Sequence, residues 1–181
     1  MTEQGALFEV EARYCIDTNV VVSFLSGDDD EHYGADVFEP QWKVFERLIN
    51  GGRIVAPERV RTELEKWAKK SERIDRWLRQ RHHMFRDPTT EQLAWAKRIV
   101  NTYPAYGRDL NYLGDLMVIS LAGAANLTVI TLEHAGTTPS RSRPKIPAAC
   151  AEFGIDCTTV PGLLRRERSS PDESVPTGIH R

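Results

Sequence analysis

YCIDTNVVVSFL, residues 14–25, reads as a short apolar strand that ends on an acid, Asp17, and passes at once through Thr18 and Asn19 into a second apolar run. A carboxylate at the C-terminal tip of a buried strand stands where open α/β sheets bind ligands and metals. Taken alone, Asp17 is as well explained as the N-cap of the helix that follows. Its meaning depends on what the rest of the chain sets opposite it.

Downstream, QWKVFERLINGG has helical spacing, with Trp42, Phe45, Leu48 and Ile49 on one face. GRIVAP follows as a strand, and ERVRTELEKW as a helix with Val60, Leu64 and Trp67 in its apolar stripe and Glu63 beside that stripe. SERIDRWLRQRHHMF and TTEQLAWAKRIVNTYP read as two further helices, the second opened by Thr-Thr-Glu. A loop spans Tyr103 to Gly114. GDLMVISLAGAAN is apolar almost all round and predicts a buried helix with Asp115 in its first turn, followed by the β-branched strand LTVIT and Glu133. After the basic, Pro-rich TTPSRSRPK come a short helix, KIPAACAEFG, and a last strand, IDCTTV.

Strands and helices thus alternate throughout, which predicts a three-layer α/β/α fold around a mostly parallel sheet. At 181 residues and 40% hydrophobic, the chain suits one domain. We expect an N-terminal extension over 1–12, the domain over 13–164 and a disordered tail over 165–181, where apolar periodicity stops. No apolar run approaches the roughly 20 residues that span a bilayer, and the N-terminus lacks a signal-peptide pattern, so a cytoplasmic protein without a membrane partner is expected. Cys15, Cys150 and Cys157 fit no metal-ligand spacing and read as buried thiols.

Four acids are placed by this reading: Asp17 at the end of the first strand, Glu63 on the helix after the second, Asp115 at the start of the buried helix, and Glu133 after LTVIT. In a parallel sheet all four can converge on one edge. Carboxylates so gathered repel one another unless a cation neutralises them, and an all-oxygen set suits Mg²⁺ or Mn²⁺. A site of that kind is competent for phosphodiester hydrolysis.

On YCIDTNVVVSFL, APERVRTELEKW, GDLMVISLAGAANLTVIT and TLEHAG, the chain resembles the PIN-domain nuclease superfamily, which includes VapC-type toxins, from about Tyr14 to Leu164. KIPAACAEFGIDCTTV resembles the ending of one little-characterised PIN subfamily. The resemblance implies a metal-dependent ribonuclease in which Asp17, Glu63 and Asp115 hold Mg²⁺ or Mn²⁺ and Glu133 completes the cluster. It implies that Asn19 and Thr131 hydrogen-bond the metal-binding carboxylates, that a cognate antitoxin partner covers the cleft, and that the chain could form a homodimer. Two departures stand out. Gly114-Asp115-Leu116-Met117 replaces the subfamily's Ala-Asp-Pro-Trp-like start to the buried helix, and Glu133 is one methylene longer than the usual Asp.

Charge distribution bears on the substrate. From Arg59 to Arg86 ten Lys or Arg face four acids, a net of +6, which suits a phosphate backbone. Trp67, Trp77 and Phe85 in the same stretch read as core-facing. Arg141, Arg143 and Lys145 follow Glu133 and are candidate RNA contacts. Asp109 is a reserve ligand, and His134 a better candidate for proton transfer than His82 or His83. The acidic run Asp28 to Glu31 reads as a solvated loop. A catalytically silent PIN-like module that binds RNA or protein is the alternative. A haloacid-dehalogenase-type phosphatase is excluded because Asn19 stands where that type needs an Asp, and a Rossmann binder because no GxGxxG follows the first strand.

Overall fold

The structure, a computed structural model, describes residues 11–26, 33–134, 140–142 and 144–169. Among them five strands form one sheet in the order β3-β2-β1-β4-β5: β1 Tyr14–Ile16, β2 Ile54–Pro57, β3 Phe85–Arg86, β4 Thr128–Ile130 and β5 Cys157–Thr158. Every pairing is parallel. All strands therefore deliver their C-terminal ends to one edge. β1 is central, with Tyr14 opposite Ile54 on one side and Thr128 on the other. The strand order reverses between β1 and β4, and such a switch point opens a crevice beyond the strand ends.

Helices flank the sheet. α7 (Leu113–Ala125) lies against β1, β2 and β4 and buries eight residues, which is why its sequence is apolar almost all round. It stops at Asn126, which takes the left-handed conformation at φ 53 that Asn tolerates. α5 (Thr90–Thr102) packs on α7, and the buried Gln92 side chain donates to the Met117 carbonyl at 3.1 Å, tying the two together. α1 (Thr18–Leu25), α2 (Glu39–Asn50) and α4 (Glu72–Gln80) bring Phe24, Trp42, Phe45 and Trp77 into one aromatic cluster, with Phe24 and Trp42 centroids 5.0 Å apart. α3 (Glu58–Ala68), α6 (Ala105–Arg108), α8 (Ile146–Glu152) and α9 (Val160–Ser169) complete the set.

Several elements differ from the sequence reading. SERIDRWLRQRHHMF is not one helix: α4 ends at Gln80, a 3₁₀ turn covers His82–Met84, and Phe85–Arg86 become the edge strand β3. The expected loop 103–114 holds α6 and a further 3₁₀ turn. The expected disordered tail is instead helical to Ser169, held by polar anchors that leave no apolar periodicity in RRERS. Tyr14 Oη donates to Glu167 at 2.7 Å, and Arg166 pairs with Asp156 at 2.7 Å. Residues 1–10 and 170–181 of the expected extension and tail lie outside the described residues. No helix among the described residues is long and apolar enough to cross a membrane.

Candidate active site

Asp17 follows β1, and its amide extends the ladder by donating to the Ile130 carbonyl at 3.0 Å. Its side chain does not cap α1. Instead Oδ2 accepts from the Thr131 hydroxyl at 3.0 Å. Thr131 is fully buried, and its hydroxyl also accepts from the Glu133 amide at 3.1 Å and from Asn19 Nδ2 at 3.4 Å. A hydroxyl has one proton to give. The two incoming donors leave that proton directed at Asp17. Asn19 Oδ1 in turn accepts from the Leu132 amide at 3.3 Å, so one small network stitches the ends of β1 and β4.

Glu63 reaches the same crevice from α3. One carboxylate oxygen accepts from Thr18 Oγ1 at 2.7 Å, and the other pairs with Arg59 Nε at 3.3 Å. It lies against Gly114, where even a methyl group would strike both carboxylate oxygens, the farther at 2.6 Å. The absence of a side chain at Gly114 thereby leaves room for Glu63 beside α7. Asp115 occupies the first turn of α7, where the helix dipole favours a negative charge. Glu133 is committed elsewhere, since Oε2 accepts from the Ile146 amide at 2.8 Å at the start of α8 and Oε1 pairs with Lys145 at 3.3 Å.

Burial pushes the Asp17 carboxyl up to about 7, with repulsion from Glu133 and Glu63 adding to it while the Thr131 hydroxyl and the Thr18 amide work against it. Asp115 is pushed up to about 8 by burial and by Asp17, Glu133 and Glu63, with Lys145 opposing. Neither has an ion pair among the described residues. Both lie in a cleft of about 400 Å³ that Glu63, Asn19 and Trp67 also line. Among the described residues no three Asp, Glu, His or Cys side chains stand close enough to share one ion as they are placed. The donor chemistry nevertheless suits a hard divalent cation: the groups are all oxygen donors, and Asp17 and Asp115 are each raised by neighbouring carboxylates.

The remaining candidates scatter. Asp109 accepts from the Asn111 amide at 2.9 Å and caps a turn. His83 contacts the Ile49 carbonyl at 3.2 Å, a structural use, and His82 and His134 are exposed. Arg141 donates to the Thr102 carbonyl at 3.3 Å, Lys145 holds Glu133, and Arg143 and the acids at 28–31 lie outside the described residues. Trp67, read as core, is 42% exposed, because Val60 and Leu64 alone carry the buried face of α3. Tyr106 had no sequence signal. It is buried, its hydroxyl has no hydrogen-bond partner among the described residues, and Asp115 and Glu133 add to the burial that raises its pKa.

Over residues 14–170 the sequence matches a family described as a domain of unknown function (DUF4411). No protein of curated function matches. Among solved structures the chain is similar in outline to a chain of VapBC2 from Rickettsia felis, solved bound to a DNA fragment from its promoter, with 17% identity, 81% of this chain and 97% of that chain covered, and a TM-score of 0.47.

Proposed function

This chain belongs to the DUF4411 family, and we propose that it is a Mg²⁺- or Mn²⁺-dependent endoribonuclease, the toxin of a toxin–antitoxin pair. The observation that carries the proposal is the pair Asp17 and Asp115, drawn from different elements into one open cleft, raised by burial and by neighbouring carboxylates, and without an ion pair among the described residues. The PIN resemblance of YCIDTN and GDLM supports the same reading.

Asp17, Asp115 and Glu63 are the residues that would hold the ion. Glu133 is the fourth acid of the cluster, and for it to ligate it must give up Lys145 or the Ile146 amide. The chemistry supplied by a bound ion is Lewis acidity toward the phosphodiester and a lowered pKa for water. This chain's residues do the rest. Thr131 fixes which face Asp17 presents, Asn19 fixes Thr131, and Thr18 and Gly114 hold Glu63 beside α7. RNA is the substrate, an acidic cleft closed by a cognate antitoxin is the means of restraint, and a homodimer is compatible with the exposed helical arm.

The test incubates the purified full chain with structured and unstructured RNA in Mn²⁺ or EDTA, beside Asp17→Asn. Cleavage that needs Mn²⁺ and Asp17 supports the proposal. Equal cleavage in EDTA would sink the metal requirement, and RNA binding with no cleavage would favour a silent binding module.

A further inference from the structure

Trp67 lies one helical turn beyond Glu63, on the same side of α3. It forms part of the wall of the acidic cleft. It also lines a second hollow, of about 390 Å³, with Leu25, Lys70, Ser71, Glu72 and Arg73. Trp67 is thus shared by an acidic hollow and one with two cations set against the single carboxylate of Glu72. A large aromatic left this exposed serves no core, and exposed tryptophans concentrate at binding surfaces.

The charges around it are unevenly spent. Arg59, Arg61, Arg79 and Arg81 are all paired with acids, so much of the arm's +6 is neutralised internally. Lys66, Lys69, Lys70, Arg73 and Arg76 are exposed, and none has an ion pair among the described residues. Of these, Lys70 and Arg73 share the second hollow with Trp67 at the turn from α3 to α4. The unspent positive charge is therefore local to the ring.

We infer that Trp67 is a stacking platform for an unpaired base of single-stranded RNA, with Lys70 and Arg73 holding a phosphate beside the ring while the strand runs on into the acidic cleft. The inference rests on the nuclease reading for what happens in that cleft. An indole face accepts any base, so the subsite would select strandedness rather than sequence. A duplex keeps its base faces stacked internally and offers the ring nothing. The polar, cationic lining beside the ring favours a polyanion over an apolar protein segment.

The test measures Kd for a short 5′-fluorescein-labelled oligouridylate, alone and annealed to its complement, by anisotropy in EDTA over a range of salt. Trp67→Ala is expected to weaken single-strand binding about tenfold with an unchanged salt slope, and Trp67→Phe to keep most of the affinity. Lys70→Ala with Arg73→Ala is expected to lower the salt slope by about 1 to 2. Unchanged affinity in Trp67→Ala, equal loss in Trp67→Phe, or duplex bound as tightly as single strand would overturn the inference. So would unchanged oligonucleotide affinity accompanied by lost association with a co-expressed cognate protein, which would assign the ring to that partner. Mn²⁺-dependent cleavage with no effect at Trp67 leaves the nuclease reading standing without the platform. Ring-dependent binding with no cleavage of any RNA supports the platform and removes the nuclease reading.

Discussion

The four acids divide into two pairs that meet at one edge of the sheet under opposite conditions. Asp17 is buried and Asp115 half-buried, and both are pushed upward with no ion pair among the described residues. Glu63 and Glu133 each hold a basic side chain and a further donor, Thr18 for one and the Ile146 amide for the other. The difference teaches which carboxylates the fold has already satisfied. The glutamates already have partners where they stand, whereas the aspartates cost stability at the cleft. That combination of cost and position marks a functional pair more sharply than proximity does.

The comparison breaks most decisively at Asp17→Asn. We expect Mn²⁺-dependent cleavage to fall by about a hundredfold or more, while the metal-free melting temperature at pH 8 rises because Asp115 loses a like-charged neighbour. A fall in both, read by RNA gel assay and calorimetry, would show Asp17 to be structural. Next in size is the pH dependence. A carboxyl raised from 3.8 to about 7 binds its proton more tightly in the folded state. Stability of the metal-free protein should therefore drop as pH rises from about 4 to about 8, by on the order of 4 kcal/mol for Asp17, with Asp115 sharing the same repulsion. Urea denaturation at stepped pH checks this, and Asp17→Asn should flatten the curve. Added Mg²⁺ should restore stability at the alkaline end.

Gly114→Ala tests the glutamate side. The new methyl group displaces the Glu63 carboxylate from Thr18 and Arg59, so Mn²⁺ affinity measured by calorimetry should weaken while the urea midpoint changes little, the better helix propensity of alanine offsetting the lost contacts. Smallest in its effect on cleavage is Glu133→Gln, which keeps an acceptor for Ile146 but loses the charge that pairs with Lys145. We expect about 1 kcal/mol of stability lost and cleavage changed far less than by Asp17→Asn. A loss of cleavage matching that variant would move Glu133 into the same class as the aspartates.

Much of the fold was legible because it is written in periodicity. Buried strands and the all-round apolar α7 leave unbroken hydrophobic runs, and a strand-end acid and a first-turn acid mark Asp17 and Asp115 without reference to any contact. What stayed hidden depends on partners far apart in sequence. Trp67 fits the helical spacing of Val60 and Leu64, yet the neighbouring structure stops short of covering it. Two residues of edge strand, Phe85–Arg86, are too short to show alternation. Gly114 looks like an ordinary helix-start residue until Glu63 is seen against it, and the helical stretch 165–169 is held by Tyr14 and Asp156, which no local pattern in RRERS announces.

The clasp between Tyr14 and Glu167 has a practical consequence. Tyr14 opens β1, at the opposite end of the strand from Asp17, and α9 runs back from the strand-end edge to meet it. Both described termini of the domain therefore leave by the back of the molecule. Shortening the chain before Arg166 would release the start of the central strand and Asp156 together, a loss of stability placed far from the mouth of the cleft.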